Sequence, residues 1–314
     1  MKLFLIIFIP LAAVIFAALF SVGFAIFRMA AKRHEKTLEV NDESIKSYGV
    51  ETFADDIKSS IARWHAYGTE KVSISSFDGT RLYGIYAKAK EPRATIILFH
   101  GWRSYPEMDF SCILGKYMDK SYNILLVDQR AHGESEGKYI TFGINESRDC
   151  ACWAKYIEER ENGAYPVFVE GMSMGATTVM MSVGRGLPEC VKGIIADCGF
   201  TSPKEIICHV VKHYHVPGKL IFPFVAFWFR VLAEVKINEY STIEAMKNCT
   251  LPVMFIHGEA DNFVPCEMSR RNFEACASEK RIFTAPGAGH GMAYVTDSKG
   301  CLSAMEEYFS MFGI

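Results

Sequence analysis

The chain has 314 residues, half of them hydrophobic, and its 34 Lys and Arg nearly balance its 36 Asp and Glu, leaving a formal net charge of −2. This balance excludes a nucleic-acid-binding protein that works by neutralising phosphates. The 23 Phe, 14 Tyr and 4 Trp supply enough core material to exclude a disordered or collagen-like chain.

The first segment of the chain is a long uncharged run between Lys2 and Arg28, composed mostly of Phe, Ile, Leu, Val and Ala. As a helix rising about 1.5 Å per residue it reaches roughly 37 Å, enough to cross the hydrocarbon layer of a bilayer. A signal peptide would have a shorter apolar region that ends in a small-residue cleavage site. We therefore predict that residues 3–27 form a single-pass transmembrane anchor in the cell membrane, outside the folded domain.

Basic residues follow the apolar run: Arg28, Lys32, Arg33 and Lys36 lie after it, and only Lys2 precedes it. Because positive charge favours the cytoplasmic side, this pattern predicts that the main domain lies in the cytoplasm. The ten cysteines agree, since they contain no C-x-x-C pair and their scattered spacing favours free thiols in a reducing compartment.

A short connector separates the anchor from the main domain. Residues 28–71 are predicted to form a basic flank and a helical stem, because Ile57, Ile61 and Trp64 recur at helical spacing. We place the start of the main domain, residues 72–314, just after Lys71.

From Val72 the pattern changes to that of strands. Two alternating runs, 72–77 and 81–86, flank Asp78-Gly79 and predict a β-hairpin in which this dipeptide is only the turn. Short apolar runs typical of strands buried on both faces follow at 95–99, 123–127, 167–169, 191–196, 253–256 and 281–284. Helix-like segments lie between them at 107–119, 145–160 and 174–185. The alternation predicts an α/β fold with a doubly wound, mostly parallel sheet.

One interruption breaks this alternation at residues 201–247, between two predicted strands. A connection of this length is usually a cap or lid above the sheet. Its apolar stretch Leu220–Phe229 is too short to span a bilayer, so it could wall a substrate pocket, dock on the membrane surface or cover the sheet edge. Our hypothesis is that part of it, including Phe227 and Trp228, walls an apolar pocket.

The first motif with a chemical role is Gly171-Met172-Ser173-Met174-Gly175, which fits G-x-S-x-G between a predicted strand and a predicted helix. In that setting the serine occupies a strained turn, and the glycines let strand and helix approach closely. The first N–H groups of the new helix then point towards the space above Ser173. The motif predicts that Ser173 is a nucleophile.

A serine nucleophile needs a base, and the base needs an orienting acid. His290 lies after the last predicted strand in a loop of small residues, 285–291, and is the expected base. Asp261 follows another strand and is the favoured acid. Asp197, which also follows a strand, is the rival, and Glu259 is a third option.

The negative charge that forms during such a reaction needs two hydrogen-bond donors. The backbone N–H of Trp102 follows a predicted strand in His100-Gly101-Trp102 and is expected to pair with the N–H of Met174. We expect His100 itself to have a structural role, bonding its own loop.

These motifs together resemble those of the α/β-hydrolases, most closely the serine aminopeptidase (S33)-like and esterase/lipase-like branch, including bacterial forms with an N-terminal membrane segment. The resemblance spans about residues 72–313. It implies the nucleophile Ser173, the acid Asp261, the base His290 and the oxyanion donors Trp102 and Met174, and it implies that 128–135 is a structural loop. The oxyanion loop departs from the HGGG-type lipase pattern, which argues against large lipid esters. The motifs that carry the resemblance are 99–102, 128–135, 171–175, 257–261 and 289–290.

The sequence thus predicts a membrane-anchored serine hydrolase that acts on a small-molecule acyl substrate and needs no metal or organic cofactor. We favour a small or medium carboxylic ester over a peptide, because the sequence shows no obvious acidic cluster to hold a substrate amine. Serine aminopeptidase, acyltransferase and non-catalytic membrane-tethered scaffold are the alternatives. His209 and His213 lie four residues apart but lack the Glu of a zincin motif, so we do not expect them to bind a metal.

Overall fold

The computed structural model describes residues 2–33 and 39–314, so Lys36 of the basic cluster lies outside the described residues. Eight strands form one sheet in the order β1-β2-β4-β3-β5-β6-β7-β8. The strands are β1 Thr69–Ser75, β2 Arg81–Ala87, β3 Ala94–Phe99, β4 Tyr122–Val127, β5 Val167–Met172, β6 Val191–Asp197, β7 Val253–Gly258 and β8 Lys280–Ala285.

Helices precede the sheet and fill the connections between its strands. They are α1 Lys2–Ala31, α2 Asp42–Ser47, α3 Ala54–Ala66, α4 Pro106–Asp109, α5 Ser111–Asp119, α6 Glu146–Glu161, α7 Met174–Ser182, α8 Pro203–Lys212, α9 Gly218–Leu232, α10 Thr242–Lys247, α11 Cys266–Ala275, α12 Ala293–Thr296 and α13 Ser298–Ser310. Short 3-10 turns lie at Glu51–Phe53 and Val183–Arg185.

The sheet confirms the predicted α/β fold. Strands β1 and β2 form the antiparallel hairpin, β2 pairs antiparallel with β4, and all other neighbours are parallel. Every residue of β3, β4 and β7 is buried, as expected for strands covered on both faces. The structure differs from the prediction at residues 107–119, where two helices, α4 and α5, replace the single predicted helix. They are separated by Phe110, whose ring is buried in the core.

Two apolar cores lie on opposite faces of the sheet, because successive strand side chains point to opposite sides. Ile96 packs with α3, α5 and α13 on one face, whereas Ile97 packs with α6, α7 and α10 on the other. The predicted stem helix is α3, and its buried Ile57, Ile61 and Trp64 join the first core. A third core forms between α1, α8 and α9, at the carboxyl edge of the sheet.

The N-terminal helix departs from the expectation that it lies outside the folded domain. Residues 8–18 are exposed, but Ile26, Phe27 and Ala31 near its C-terminal end are buried in the third core. The Phe27 ring packs edge-on against Phe229 of α9 with centroids 4.9 Å apart. A helix that is apolar all round gives no sequence signal of which part meets protein.

Hydrogen bonds and one close approach between helices attach α1 to its neighbours. The Trp228 indole N–H donates to the Phe20 carbonyl at 3.2 Å, and α9 approaches so closely at Gly23 that a Cβ there would clash with Phe224. Just after α1, the Arg33 guanidinium binds the carbonyl oxygens of Gly133 and Ser135. These two bonds join the segment just after α1 to the loop 128–135.

Candidate active site

Ser173 lies at the sharp turn from β5 to α7, where its φ of 55° and ψ of −111° fall in a strained region for a residue with a side chain. The flanking glycines make this turn possible. A Cβ on Gly171 would overlap the backbone of Gly175, and a Cβ on Gly175 would overlap the carbonyl oxygen of Phe99. The strained backbone of Ser173 and the need for glycine at positions 171 and 175 thus have one cause, the close approach of α7 to the strands β3 and β5.

The structure brings the three residues predicted as nucleophile, base and acid into one hydrogen-bonded chain. His290 Nε2 lies 2.9 Å from Ser173 Oγ, and His290 Nδ1 lies 2.6 Å from Asp261 Oδ2. A carboxylate accepts only, so Nδ1 carries the imidazole proton and Nε2 is free to accept the proton of the serine hydroxyl. The loops after β7 and β8 supply Asp261 and His290, which meet Ser173 at the carboxyl edge of the sheet.

Asp261 is held as a charged carboxylate. Backbone N–H groups of Phe263 and Val264 each donate to Oδ1 at 2.8 Å. Burial alone would raise the pKa of Asp261, but hydrogen bonds from His257 and His290 outweigh it and hold that pKa well below its usual range. The acid therefore stays ionised and can stabilise a positively charged His290 imidazole.

His257 is a residue of this site to which the sequence reasoning gave no role. Its Nε2 lies 2.8 Å from the Val264 carbonyl and 3.1 Å from Asp261 Oδ2, so Nε2 carries the proton and donates to both. Its Nδ1 accepts from the Ser269 hydroxyl at 2.6 Å. Only its position four residues before Asp261 in the same strand end could have signalled that the two side chains meet.

The two alternative acids lie elsewhere. Glu259 accepts from Arg270 at 3.0 Å and Thr284 at 2.7 Å, on the half-exposed side of its loop. Asp197 is buried at the end of β6, and its Oδ1 has no hydrogen-bond partner among the described residues. Burial raises the pKa of Asp197 to about 6. Of the three candidate acids, Asp261 is the one that is hydrogen-bonded to His290.

The predicted oxyanion donors flank Ser173. Met174 is the first residue of α7, and a first-turn N–H has no acceptor within its own helix. Trp102 follows β3, and its side chain donates from Nε1 to the carbonyl of Ala30 in α1 at 2.8 Å. This bond anchors the Trp102 loop to α1, and Trp102 lines the same two cavities as Ser173.

His100 and the loop 128–135 hold the Trp102 loop in place. His100 is fully buried, and burial lowers its pKa to about 4, so it is neutral. Its Nε2 accepts from the Gln129 N–H at 3.1 Å, while His132 Nε2 accepts from the Arg103 N–H at 3.0 Å. These bonds match the structural roles expected for His100 and for this loop.

A cavity of about 220 Å³ opens on one side of Ser173, lined in part by Trp102 and His290. Two buried carboxyl groups, those of Glu170 and Asp197, and the half-buried carboxyl group of Asp109 also line it. Burial raises the pKa of Glu170 to about 8 and that of Asp109 to about 6. The sequence analysis missed this acidic group, because its members lie on a helix and two strands far apart in the chain.

A second cavity of about 140 Å³ also reaches Ser173 and is almost wholly apolar. Its lining side chains come mainly from α1, α8 and the loops after β3, β6 and β7; they are Ile26, Met29, Ala30, Trp102, Phe142, Phe200, Ile206, Ile207, Val210, Val211, Tyr214, Phe263 and Val264. No residue of Leu220–Phe229 lines either cavity, so the hypothesis that part of this stretch walls the pocket is wrong; α9 packs against α1, and α1 lines the apolar cavity. Phe227 is instead exposed, and Trp228 packs on Phe20 and Phe24.

One group among the described residues has metal-ligand geometry. Donor atoms of Cys198, Asp261 and His290 lie within 4.8 Å of one another. Asp261 and His290 are already hydrogen-bonded to each other, and burial raises the pKa of the Cys198 thiol, which would have to lose its proton to bind a metal. The rings of His209 and His213 pack edge-on at 5.0 Å on the cap.

Comparisons with known proteins agree with this architecture. A model of the family described as serine aminopeptidase, S33, matches residues 90–241. The uncharacterised protein YqkD of Bacillus subtilis is 24% identical over 236 residues, covering 75% of this chain and 77% of its own length. Human protein ABHD12B is 26% identical over 220 residues, covering 66% of this chain and 58% of its own.

Solved structures show the same fold. The esterase Pf2001 of Pyrococcus furiosus superposes with a TM-score of 0.65 at 19% identity, covering 79% of this chain and 93% of the esterase. DcsB, solved in complex with its substrate analogue, gives a TM-score of 0.61 at 18% identity, covering 78% of this chain and 99% of DcsB. Together with the sheet order, these likenesses show that the chain has the α/β-hydrolase fold.

Proposed function

We propose that this protein is a membrane-anchored serine hydrolase that cleaves a carboxylic ester through Ser173, His290 and Asp261. One observation carries the proposal, the unbroken hydrogen-bonded chain from Ser173 Oγ through His290 to Asp261. A hydroxyl that can pass its proton to a neutral imidazole, backed by a buried carboxylate, is an activated nucleophile.

The reaction follows from the roles of these groups. His290 Nε2 takes the proton of Ser173 as Oγ attacks the ester carbonyl, and the N–H groups of Trp102 and Met174 bind the oxyanion. The protonated His290 then gives its proton to the leaving alcohol, which departs and leaves an acyl-enzyme. Water, deprotonated by the same imidazole, attacks the acyl carbon; the bond from that carbon to Ser173 Oγ breaks, the imidazolium returns the proton to Oγ, and the carboxylic acid is released.

Two observations support retention of α1 as an anchor. Residues 8–31 are long and apolar enough to span a bilayer, and only 11% of an 18-residue apolar window within them is buried inside the protein. Cleavage as a signal peptide would also remove Ile26, Phe27 and Ala31 from the third core. We expect the full-length chain to resist alkaline carbonate extraction from membranes, with the main domain on the cytoplasmic side. Release of a chain that begins after Ala31 would contradict anchoring.

The catalytic proposal is tested by hydrolysis of p-nitrophenyl esters of increasing chain length. Ser173→Ala should abolish hydrolysis, whereas Ser182→Ala, a buried serine at the far end of the same helix, should retain it. Hydrolysis that survives Ser173→Ala would contradict the proposal. A wild-type protein that is folded yet inactive on every acyl substrate would support the scaffold alternative.

A second candidate activity is aminopeptidase, which the carboxyl groups of the larger cavity favour. With a pKa near 6, Asp197 is charged at neutral pH, and its unpaired Oδ1 could accept from a substrate ammonium. Turnover of aminoacyl p-nitroanilides faster than of esters, reduced by Asp197→Asn, would favour this activity. Faster product formation when an alcohol acceptor is added would instead indicate acyl transfer.

A further inference from the structure

The feature that prompts a further inference is the position of α1 beside the apolar cavity at Ser173. Ile26, Met29 and Ala30 of α1 line this cavity together with residues of α8. The helix proposed as an anchor therefore reaches the reaction centre as a wall, which a simple tether would not do. The hydrogen bond from the Trp102 indole to the Ala30 carbonyl joins the same helix turn to the oxyanion loop.

The exposed apolar surface continues from α1 onto the cap. Phe16 of α1 packs on Phe224 of α9, and Phe227 and Val231 of α9 are 47% and 50% exposed. Large exposed apolar side chains on two neighbouring helices form the kind of patch that binds a membrane. Nearby, Leu220 at the start of α9 is 55% exposed.

The length of α1 determines how deep the cap lies in the bilayer. Crossing a hydrocarbon layer of about 30 Å takes roughly 20 residues, which from Leu3 extends to about Val22. The contacts of Phe20 with Phe227 and Trp228 therefore fall within the inner edge of the hydrocarbon layer. Met29, seven residues beyond Val22, then lies about 10 Å further on, near the level of the lipid headgroups.

The mouth of the cavity lies at this level. Met29 is 48% exposed and Tyr214 is 68% exposed, and both line the cavity that leads to Ser173. An apolar cavity of about 140 Å³ has room for roughly the first six carbons of an acyl chain, and it offers few polar groups to any other part of a substrate. An acyl chain leaving the bilayer beside α1 would enter it directly.

We propose that α1 forms one wall of an acyl-binding pocket and that the substrate is an acyl ester partitioned into the lipid bilayer, whose chain enters between α1 and α8. This inference rests on the proposed function, since it assumes that Ser173 attacks the ester. It changes the expected substrate from a small or medium ester to one with a medium or long acyl chain held at the membrane surface.

The first test narrows the pocket from the α1 side in the full-length protein, reconstituted in phosphatidylcholine vesicles. Met29→Trp should lower kcat/KM for p-nitrophenyl decanoate about tenfold or more relative to kcat/KM for the acetate ester. Val14→Trp, on the exposed part of α1 away from the cavity, should leave the ratio unchanged. An unchanged ratio in Met29→Trp, or equal losses on both esters, would overturn the inference.

A milder variant guards against misfolding. Met29→Ala removes apolar contacts at a half-exposed position and should lower kcat/KM for the decanoate about fourfold relative to kcat/KM for the acetate. If Met29→Trp does not fold, an unchanged preference in Met29→Ala overturns the inference. Ester hydrolysis that depends on Ser173 would still support the proposed function, whereas absence of all ester hydrolysis in the wild type would refute that function itself.

The second test asks where the substrate comes from. A long-chain monoacylglycerol is held at constant bulk concentration while phosphatidylcholine is added to dilute it within the vesicle surface. The rate should fall in proportion to the surface mole fraction if the substrate enters from the bilayer. A rate independent of surface dilution would show entry from water and would overturn this part of the inference.

Discussion

At the scale of single residues, the candidate site depends on how two loops present Asp261 and His290 to Ser173. The residue types were predictable, because each follows a strand end and lies in the chain order nucleophile, acid, base. The choice among Asp261, Asp197 and Glu259 was not predictable from the sequence with certainty, since all three follow strands. The structure distinguishes the three candidates, because His290 Nδ1 lies 2.6 Å from Asp261 Oδ2.

Replacing the acid tests its role. Asp261→Asn keeps the side-chain shape but removes the charge, and its amide can hold His290 in the wrong tautomer, so kcat should fall by about 10²–10⁴-fold. The measurement is steady-state hydrolysis of p-nitrophenyl acetate. Glu259→Gln is the matched control and should change kcat little, because Glu259 binds Arg270 and Thr284 instead. Comparable losses in both variants would contradict the assignment of the acid.

At the scale of elements, the strands were predictable and the packing of the N-terminal helix was not. The alternating runs around Asp78-Gly79 and the continuous apolar runs carried strand periodicity, which local sequence encodes. By contrast, α1 is apolar on every side, so its contacts with α9 depend on tertiary fit. A single glycine, Gly23, marks the point of closest approach.

The close approach at Gly23 can be tested by filling it. Gly23→Leu would push Phe224 and α9 away, and we expect a loss of about 1–3 kcal/mol in unfolding free energy, as in other overpacked sites. Thermal unfolding in detergent micelles is the measurement, with Val22→Leu at the exposed neighbouring position as the control. Equal melting temperatures for the two variants would mean that α1 and α9 are not packed together in solution.

At the scale of the whole molecule, the carboxyl edge of the sheet gathers polar groups that the sequence keeps far apart. Asp109, Glu170 and Asp197 meet at the larger cavity only because β5 and β6 are neighbours and the β3 loop folds over them. No local sequence pattern predicts such a cluster. The sequence therefore shows no obvious acidic cluster, although three carboxyl groups line the cavity.

Burial of Glu170 predicts how stability depends on pH. Its pKa is raised from 4.5 to about 8, so the folded protein holds a proton that the unfolded chain releases. The resulting stabilisation is fully present below about pH 4.5 and is lost as pH rises to about 8, at about 1.4 kcal/mol per pH unit. Glutamine cannot ionise, so Glu170→Gln escapes this loss.

The measurement is denaturant unfolding at pH 5.5 and pH 8. The unfolding free energy of Glu170→Gln should gain up to about 3 kcal/mol on that of the wild type between the two pH values. Glu159→Gln, on the exposed face of α6, should show no such gain. A difference between Glu170→Gln and the wild type that is independent of pH would refute the buried, protonated state of Glu170.

The most direct measurement of the central claim is covalent labelling of the full-length protein in membranes with a fluorophosphonate, followed by mapping of the modified residue by tandem mass spectrometry. We predict a single adduct on Ser173 that forms at least about 100-fold more slowly in His290→Ala, because the hydroxyl then lacks its base. Absence of an adduct on Ser173, or an equal labelling rate without His290, would contradict the claim that these side chains make an activated nucleophile.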